Sequence, residues 1–213
     1  MFKKMETVSF MEKPKLLIIA GPNGSGKTTF TRLLLGHHWS DDCLFINPDD
    51  IAQNEFGDWN SPKAIIRAVN RAAELREECL RTNKSMLVET VLSTEEKIDF
   101  IRRAKTSGFF VRVFFIGTDT PEINASRVAR RILEGGHEVP IGKIIKRYFS
   151  SMQMCVYAAA LSDRLYVNDN SLEGSSPKML FRTRDGKLYK KYPALNSHDW
   201  AKEILKQLRG LGK

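Results

Sequence analysis

The stretch Lys15–Thr29, KLLIIAGPNGSGKTT, constrains this chain more than any other. Leu16 to Ala20 form an apolar run too short for a helix and closed at once by glycine. Such a run predicts a buried strand of a parallel sheet. Gly21, four further residues, and then Gly26, Lys27 and Thr28 complete the phosphate-loop pattern G-x-x-x-x-G-K-[ST]. The nucleotide-binding set is therefore Gly21, Pro22, Asn23, Gly24, Ser25, Gly26, Lys27, Thr28 and Thr29. The glycines let the backbone curl so that successive N–H groups face phosphate oxygens. Lys27 supplies an ammonium for the β- and γ-phosphates, and the Thr28 hydroxyl is the expected protein ligand of Mg²⁺. The helix beginning here turns its positive end to the same anion. Together these features imply a site for ATP with Mg²⁺.

The rest of the chain alternates strand and helix patterns. Cys43–Asn47, Ser85–Glu89, Phe109–Ile116 and Arg164–Asn168 read as further strands. Pro48 ends the second strand and is expected to deliver Asp49 and Asp50 into a loop. Helices are expected after Ser61-Pro62 to about Asn83, with Ile65, Ile66, Val69, Ala72, Ala73, Leu75 and Leu80 as the apolar side. Further helices should follow a Ser93/Glu96 capping box, run from Thr120-Pro121 to Glu134, and run from about Pro140 to Ala160. This order predicts an α/β fold: a P-loop NTPase with a nucleotide-kinase-like parallel sheet flanked by helices. Ligands of such sheets lie at the carboxyl ends of the strands. After Ser175-Ser176-Pro177, two strand patterns flank Asp185-Gly186, a tight-turn signal, and an amphipathic helix closes the chain from about Ser197 to Leu208. The expected organisation is a kinase domain over 1–175, containing a helical lid over about 121–150, with a C-terminal hairpin and helix over 176–213 packed on the same domain.

Lys and Arg outnumber Asp and Glu by 34 to 25, a formal net charge of +9. Such an excess serves either a nucleic-acid surface or a site holding a triphosphate and a second phosphorylated substrate. The basic residues are dispersed along the chain and no aromatic-rich RNA motif interleaves them, which favours the second. No apolar stretch approaches a membrane span, and the first residues lack the apolar block of a signal peptide. Cys43, Cys79 and Cys155 stand apart with no metal spacing, so free thiols in a reducing, cytoplasmic setting are expected.

Phosphate transfer to an alcohol needs a carboxylate to take the hydroxyl proton. Asp49, just past the second strand, is the candidate; the alternative is that Asp49 or Asp50 caps a helix. Glu89 closes the third strand and either holds Mg²⁺ through water, grips substrate hydroxyls, or is a polar strand end. Arg127 and Arg131 lie on a helix running into Gly135-Gly136, with Arg147 one helix later. Arginines closing over the γ-phosphate offset developing charge and exclude water; the alternative is a solvated basic face.

GPNGSGKTTF, FINPDDIA (Phe45–Ala52), VETVLS (Val88–Ser93), Ser126-Arg127-Val128, GGHEVP (Gly135–Pro140), IIKRY (Ile144–Tyr148) and VNDNS (Val167–Ser171) together resemble the zeta-toxin family of phosphate-loop kinases. The resemblance spans about Lys15 to Ser171 and is closest to the family's small, ATPase-like branch. It implies ATP-dependent phosphorylation of a sugar hydroxyl, with UDP-N-acetylglucosamine as substrate. Asp49 would be the base, Lys27 and Thr28 would serve phosphates and Mg²⁺, and Glu89 would contact the sugar, with Thr90 and Asp50 on the substrate side. Arg131 and Arg147, with Arg127, would be the lid arginines. A small helical antitoxin is the implied partner. The rival readings are a nucleic-acid-associated ATPase and a kinase acting on a polynucleotide end.

Overall fold

In the computed structural model, residues 13–57, 61–135 and 139–211 are described. Their order is β1 (Lys15–Ala20), α1 (Lys27–Leu35), β2 (Leu44–Ile46), α2 (Pro48–Phe56), α3 (Pro62–Thr82), β3 (Met86–Thr90) and α4 (Glu95–Thr106). There follow β4 (Phe110–Gly117), α5 (Pro121–Leu133), α6 (Ile141–Leu161), β5 (Arg164–Asp169), β6 (Lys178–Arg184), β7 (Lys187–Lys191) and α7 (Asp199–Leu211). The strands form one sheet in the order β2-β3-β1-β4-β5-β6-β7. The first five are parallel and the last two antiparallel. The chain leaves β1 towards β2 and later returns to the other side at β4, so a crevice opens beyond the carboxyl end of β1.

Burial explains why β1 is central. Leu16 through Ala20 are all at most 2% exposed, and each large aliphatic side chain so buried contributes roughly 1.5–3 kcal/mol. One face of the sheet carries the larger apolar cluster, with α2, α3, α4, α6 and α7 over it. The other face carries a smaller cluster around Leu17, Ile19, Leu34, Phe114 and Tyr166. On that side α1 lies over β1 and β3, and a 3-10 turn at 38–40 sets Trp39 on Phe114 and Tyr166. No described helix is long and apolar enough to cross a membrane.

Three local expectations are corrected. Asp49 and Asp50 do not lie in a loop: Pro48 opens α2 immediately, and Asn47 caps it by accepting from the Asp49 N–H at 3.0 Å. Neither aspartate is therefore needed as the cap. The Ser93/Glu96 capping box does not form: the N-cap of α4 is Thr94, whose side chain makes no cap hydrogen bond. On α3, Ala64, Ala68 and Ala72 are buried at i, i+4 spacing, whereas Ile66 and Val69 are 62% and 48% exposed. Small residues let α3 approach α2 and the sheet closely, so size rather than hydrophobicity selects its inner face.

The tail continues the sheet. Asp185 and Gly186 both have positive φ, as a two-residue hairpin turn demands, and β6 pairs with β5. α7 packs on α6 and buries Ala201, Ile204, Leu205 and Leu208. Its start reaches the strand ends: the Trp200 ring lies against Gly117, and His198, just before the helix, has Nδ1 2.6 Å from Asp119 Oδ1.

Candidate active site

The loop between β1 and α1 is held open by crowding. Gly21 has a φ of +146°, and a β-carbon there would sit 2.1 Å from the Ile116 carbonyl oxygen, so only glycine passes the end of β4. Side chains from elsewhere brace the loop's outer side. Asn124 of α5 donates from Nδ2 to the Asn23 carbonyl (2.5 Å), and Asn170, just past β5, donates to the Ser25 carbonyl (2.8 Å). Behind Asn124, the Thr118 hydroxyl donates to Asn124 Oδ1 while Tyr148 donates to the Thr118 carbonyl at 2.7 Å. Spacing along the chain offers no signal for Asn124, which lies about a hundred residues from the loop it supports. Asn170 fell within the VNDNS stretch but carried no assigned task.

Lys27 is the centre of charge. Its ammonium donates to the Pro22 carbonyl at 2.9 Å. Burial lowers its pKa to about 8, against the pull of the Glu89 and Asp49 carboxylates and with further lowering by Arg131 and Arg147. Four side chains from four separate elements thus act on one amine. Asp49 is exposed, in the first turn of α2, with its charge felt by both Lys27 and Arg147. Asp50 is half-buried; desolvation and its neighbours Glu89 and Asp49 raise its pKa, opposed by Arg32.

Glu89, opposite Ile19 in the β1–β3 register, accepts from Thr28 Oγ1 at 3.1 Å and from Thr31 Oγ1 at 2.8 Å. Thr31 was absent from the expected set; its hydroxyl fixes the carboxylate beside Thr28. A threonine hydroxyl next to a carboxylate is a hard-oxygen donor pair of the kind Mg²⁺ takes, so the residues present fit that ion. The Ser25 hydroxyl is buried without a protein partner, another polar group available to a phosphate. Thr90, by contrast, accepts from the Leu92 N–H at 3.2 Å and shapes the local turn.

The arginines divide. Arg147 donates to Asn23 Oδ1 at 3.2 Å, and burial depresses its pKa while Asp49 supports its charge. Arg131 is exposed near the end of α5, and its charge reaches Lys27. Arg127 donates to the carbonyls of Asn170 (2.8 Å), Ser171 (3.2 Å) and Gly24 (3.5 Å), and so ties β5's end to the loop. A small apolar cluster of Val128, Val139 and Ile144 joins α5 to α6. Of the GGHEVP motif, Gly136, His137 and Glu138 lie outside the described residues. α6 runs from the expected lid region into the body, where its later turns bury Ser151, Met154, Cys155 and Ala158.

The family model for zeta toxin matches residues 1–173. This chain belongs to the zeta-toxin family. A Haemophilus influenzae protein of uncharacterised function is 29% identical over 136 residues, covering 63% of this chain and 92% of its own. Among solved structures, the AvrRxo1-ORF1:AvrRxo1-ORF2 complex with ATP aligns at a TM-score of 0.65 and 20% identity over 91% of this chain. This chain spans 64% of that neighbour's length. A structure of the PezAT chromosomal toxin–antitoxin system of Streptococcus pneumoniae aligns at 0.57 and 16% identity, covering 94% of this chain and 87% of that one. These likenesses show a zeta-toxin P-loop kinase fold, carried by the α/β sheet described above.

Proposed function

We propose that this zeta-toxin family member is an ATP-dependent kinase that transfers the γ-phosphate to a hydroxyl of a small molecule, with a nucleotide sugar such as UDP-N-acetylglucosamine as acceptor. The observation that carries the reading is the phosphate loop with Glu89 held on Thr28 and Arg147 held on Asn23, around a lysine whose charge responds to Asp49, Glu89, Arg131 and Arg147. A simple nucleotide switch has no need of an exposed carboxylate across from the phosphate-loop lysine.

In this reading the loop and Lys27 hold the β- and γ-phosphates. Thr28, with Glu89 beside it, holds Mg²⁺, which when bound neutralises charge on those phosphates. Asp49, exposed in the first turn of α2, accepts the proton of the acceptor hydroxyl. Arg147, fixed on the loop, and Arg131, at the end of α5, offset negative charge as the phosphoryl group moves. Asp50 and Glu89 form the acceptor side, with Thr90, whose hydroxyl also accepts from the Leu92 N–H, beside them. Family membership supports a small helical antitoxin as partner, and three free thiols suit a reducing, cytoplasmic setting.

The test measures transfer of labelled γ-phosphate to UDP-N-acetylglucosamine, a nucleoside panel and single-stranded RNA in parallel. Label on the nucleotide sugar, lost in Asp49→Asn with ATP binding retained, is the expected result. Label on RNA ends alone would replace this reading with the polynucleotide-end kinase.

A further inference from the structure

Beyond β4 the second face of the sheet has no described α-helix over it, since α6 and α7 both bury into the opposite cluster, and only the 3-10 turn carrying Trp39 reaches over Phe114 and Tyr166. Register places Arg112 beside Arg164, Tyr166 beside Arg182, Arg184 opposite both Arg164 and Lys187, and Lys190 opposite Arg182. Rings alternate with these cations. The Arg112 guanidinium lies 3.8 Å from the Trp39 ring centre and 5.4 Å from that of Phe110, which Arg164 also approaches at 5.7 Å. Arg182 lies between Tyr166 (5.7 Å) and Tyr189 (5.0 Å), and Lys190 faces Tyr192 at 5.0 Å. Basic residues dispersed through the sequence are thus gathered by strand register and interleaved with aromatics.

This face is poorly neutralised. Asp185 contacts Arg164 and Arg184, while Arg112, Arg182, Lys187 and Lys190 make no ion pair with any described carboxylate. Arg112 Nε is buried and unpartnered, and burial lowers that guanidinium's pKa. Tyr189 is 56% exposed on the edge strand. Arg184, Lys187, Tyr189 and Lys190 are exposed here while Tyr166 is buried, so the accessible part of the face is a cluster of cations around the Tyr189 ring, which suits a flexible polyanion whose own flat groups can stack.

We propose that the β4–β7 face, with Trp39 at its margin, docks single-stranded nucleic acid: cations take the phosphates and rings stack on bases. Duplexes hide their base faces and cannot use the rings. The face lies apart from the transfer site, because Arg112 precedes the end of β4 at Gly117 by five residues, about 16 Å of strand. A strand held here is tethered, not phosphorylated, so the proposal stands or falls independently of the kinase reading.

The test is fluorescence anisotropy of labelled single-stranded RNA, single-stranded DNA and duplex DNA with the full chain across a salt series. Single strands are expected to bind better than duplex, with a log–log salt slope of about −3 for roughly four phosphates neutralised. Arg182→Glu/Lys187→Glu/Lys190→Glu should weaken binding at least about tenfold, whereas Lys202→Glu/Lys206→Glu on α7 should change it less than about twofold. Tyr189→Ala and Lys190→Glu, each alone on the exposed edge strand, should each weaken it at least about threefold and stand in if the triple variant misfolds. Saturating ATP should not compete. Equal loss in the α7 control, displacement by ATP, or no binding overturns the proposal; so does a shift in sedimentation of the face variants without any loss of nucleic acid, which assigns the face to a second copy of the chain.

Discussion

Arg147 Nη1 lies 3.2 Å from Asn23 Oδ1, so a guanidinium carried by α6 rests directly on the phosphate loop. Arg131 acts from the exposed end of α5. The two arginines should therefore fail differently. Arg147→Ala should raise the KM for ATP and lower kcat, because it removes both a loop contact and a charge. Arg131→Ala should lower kcat by about 10²–10³ with little change in KM, the pattern of an interaction made only as charge develops. Steady-state kinetics of the two variants decide this; identical profiles would argue against separate roles.

The lowered pKa of Lys27 predicts a pH dependence with a definite sign. In the free protein this amine loses its proton as pH rises through about 8, and phosphate favours the protonated form. Above about 8, and up to the higher pKa the amine takes against bound phosphate, binding must take up a proton. ATP affinity should then fall by up to about tenfold per pH unit. Calorimetry at about pH 9 in two buffers of different ionisation enthalpy would read the uptake directly, and affinity flat across this range would refute it.

Glu89 accepts from both Thr28 and Thr31, so its charge is aimed where the metal would be held. Glu89→Gln keeps the shape and loses the charge. The Mg²⁺ concentration for half-maximal turnover should rise about 10–100-fold, with thermal stability nearly unchanged. A large fall in melting temperature instead would make Glu89 a structural residue.

Trp200 and Gly117 bind the tail to the end of β4. A β-carbon at Gly117 would lie 2.4 Å from the Trp200 ring, so Gly117→Ala should destabilise by about 1–3 kcal/mol through overpacking. Adding Trp200→Ala should relieve much of that strain, giving a double-mutant coupling above about 0.5 kcal/mol in urea unfolding. Additive effects would show that the two do not share one packing site.

The strand, loop and helix from Lys15 to Leu35 were legible because all their determinants are local: an apolar run, glycines at fixed spacing, and a lysine. Element order gave the parallel sheet for the same reason. What escaped depends on distance along the chain. Asn124 supports Asn23 and Asn170 supports Ser25 across more than a hundred residues, a separation no periodicity records. The inner face of α3 follows the expected Ala72, Leu75 and Leu80 but not Ile66 and Val69, because Ala64 and Ala68 fill the narrow gap instead. Asp49 was read correctly as following β2 but wrongly as a loop residue, since Asn47 caps a helix that starts at once. The basic face was invisible because its members are scattered from Trp39 to Lys190 and meet only through strand register.

α6 runs unbroken from Ile141 to Leu161, with Arg147 near one end and the packed turns from Ser151 onward at the other. The bearing of that guanidinium is therefore a matter of helical phase. One residue inserted at Ser150 would rotate everything before it by about 100° against the anchored half, swinging the arginine away from Asn23 and carrying Tyr148 off the Thr118 carbonyl, while the turns from Ser151 onward keep their place. Length in this rod, more than the identity of the intervening side chains, is what keeps the arginine pointed at its target.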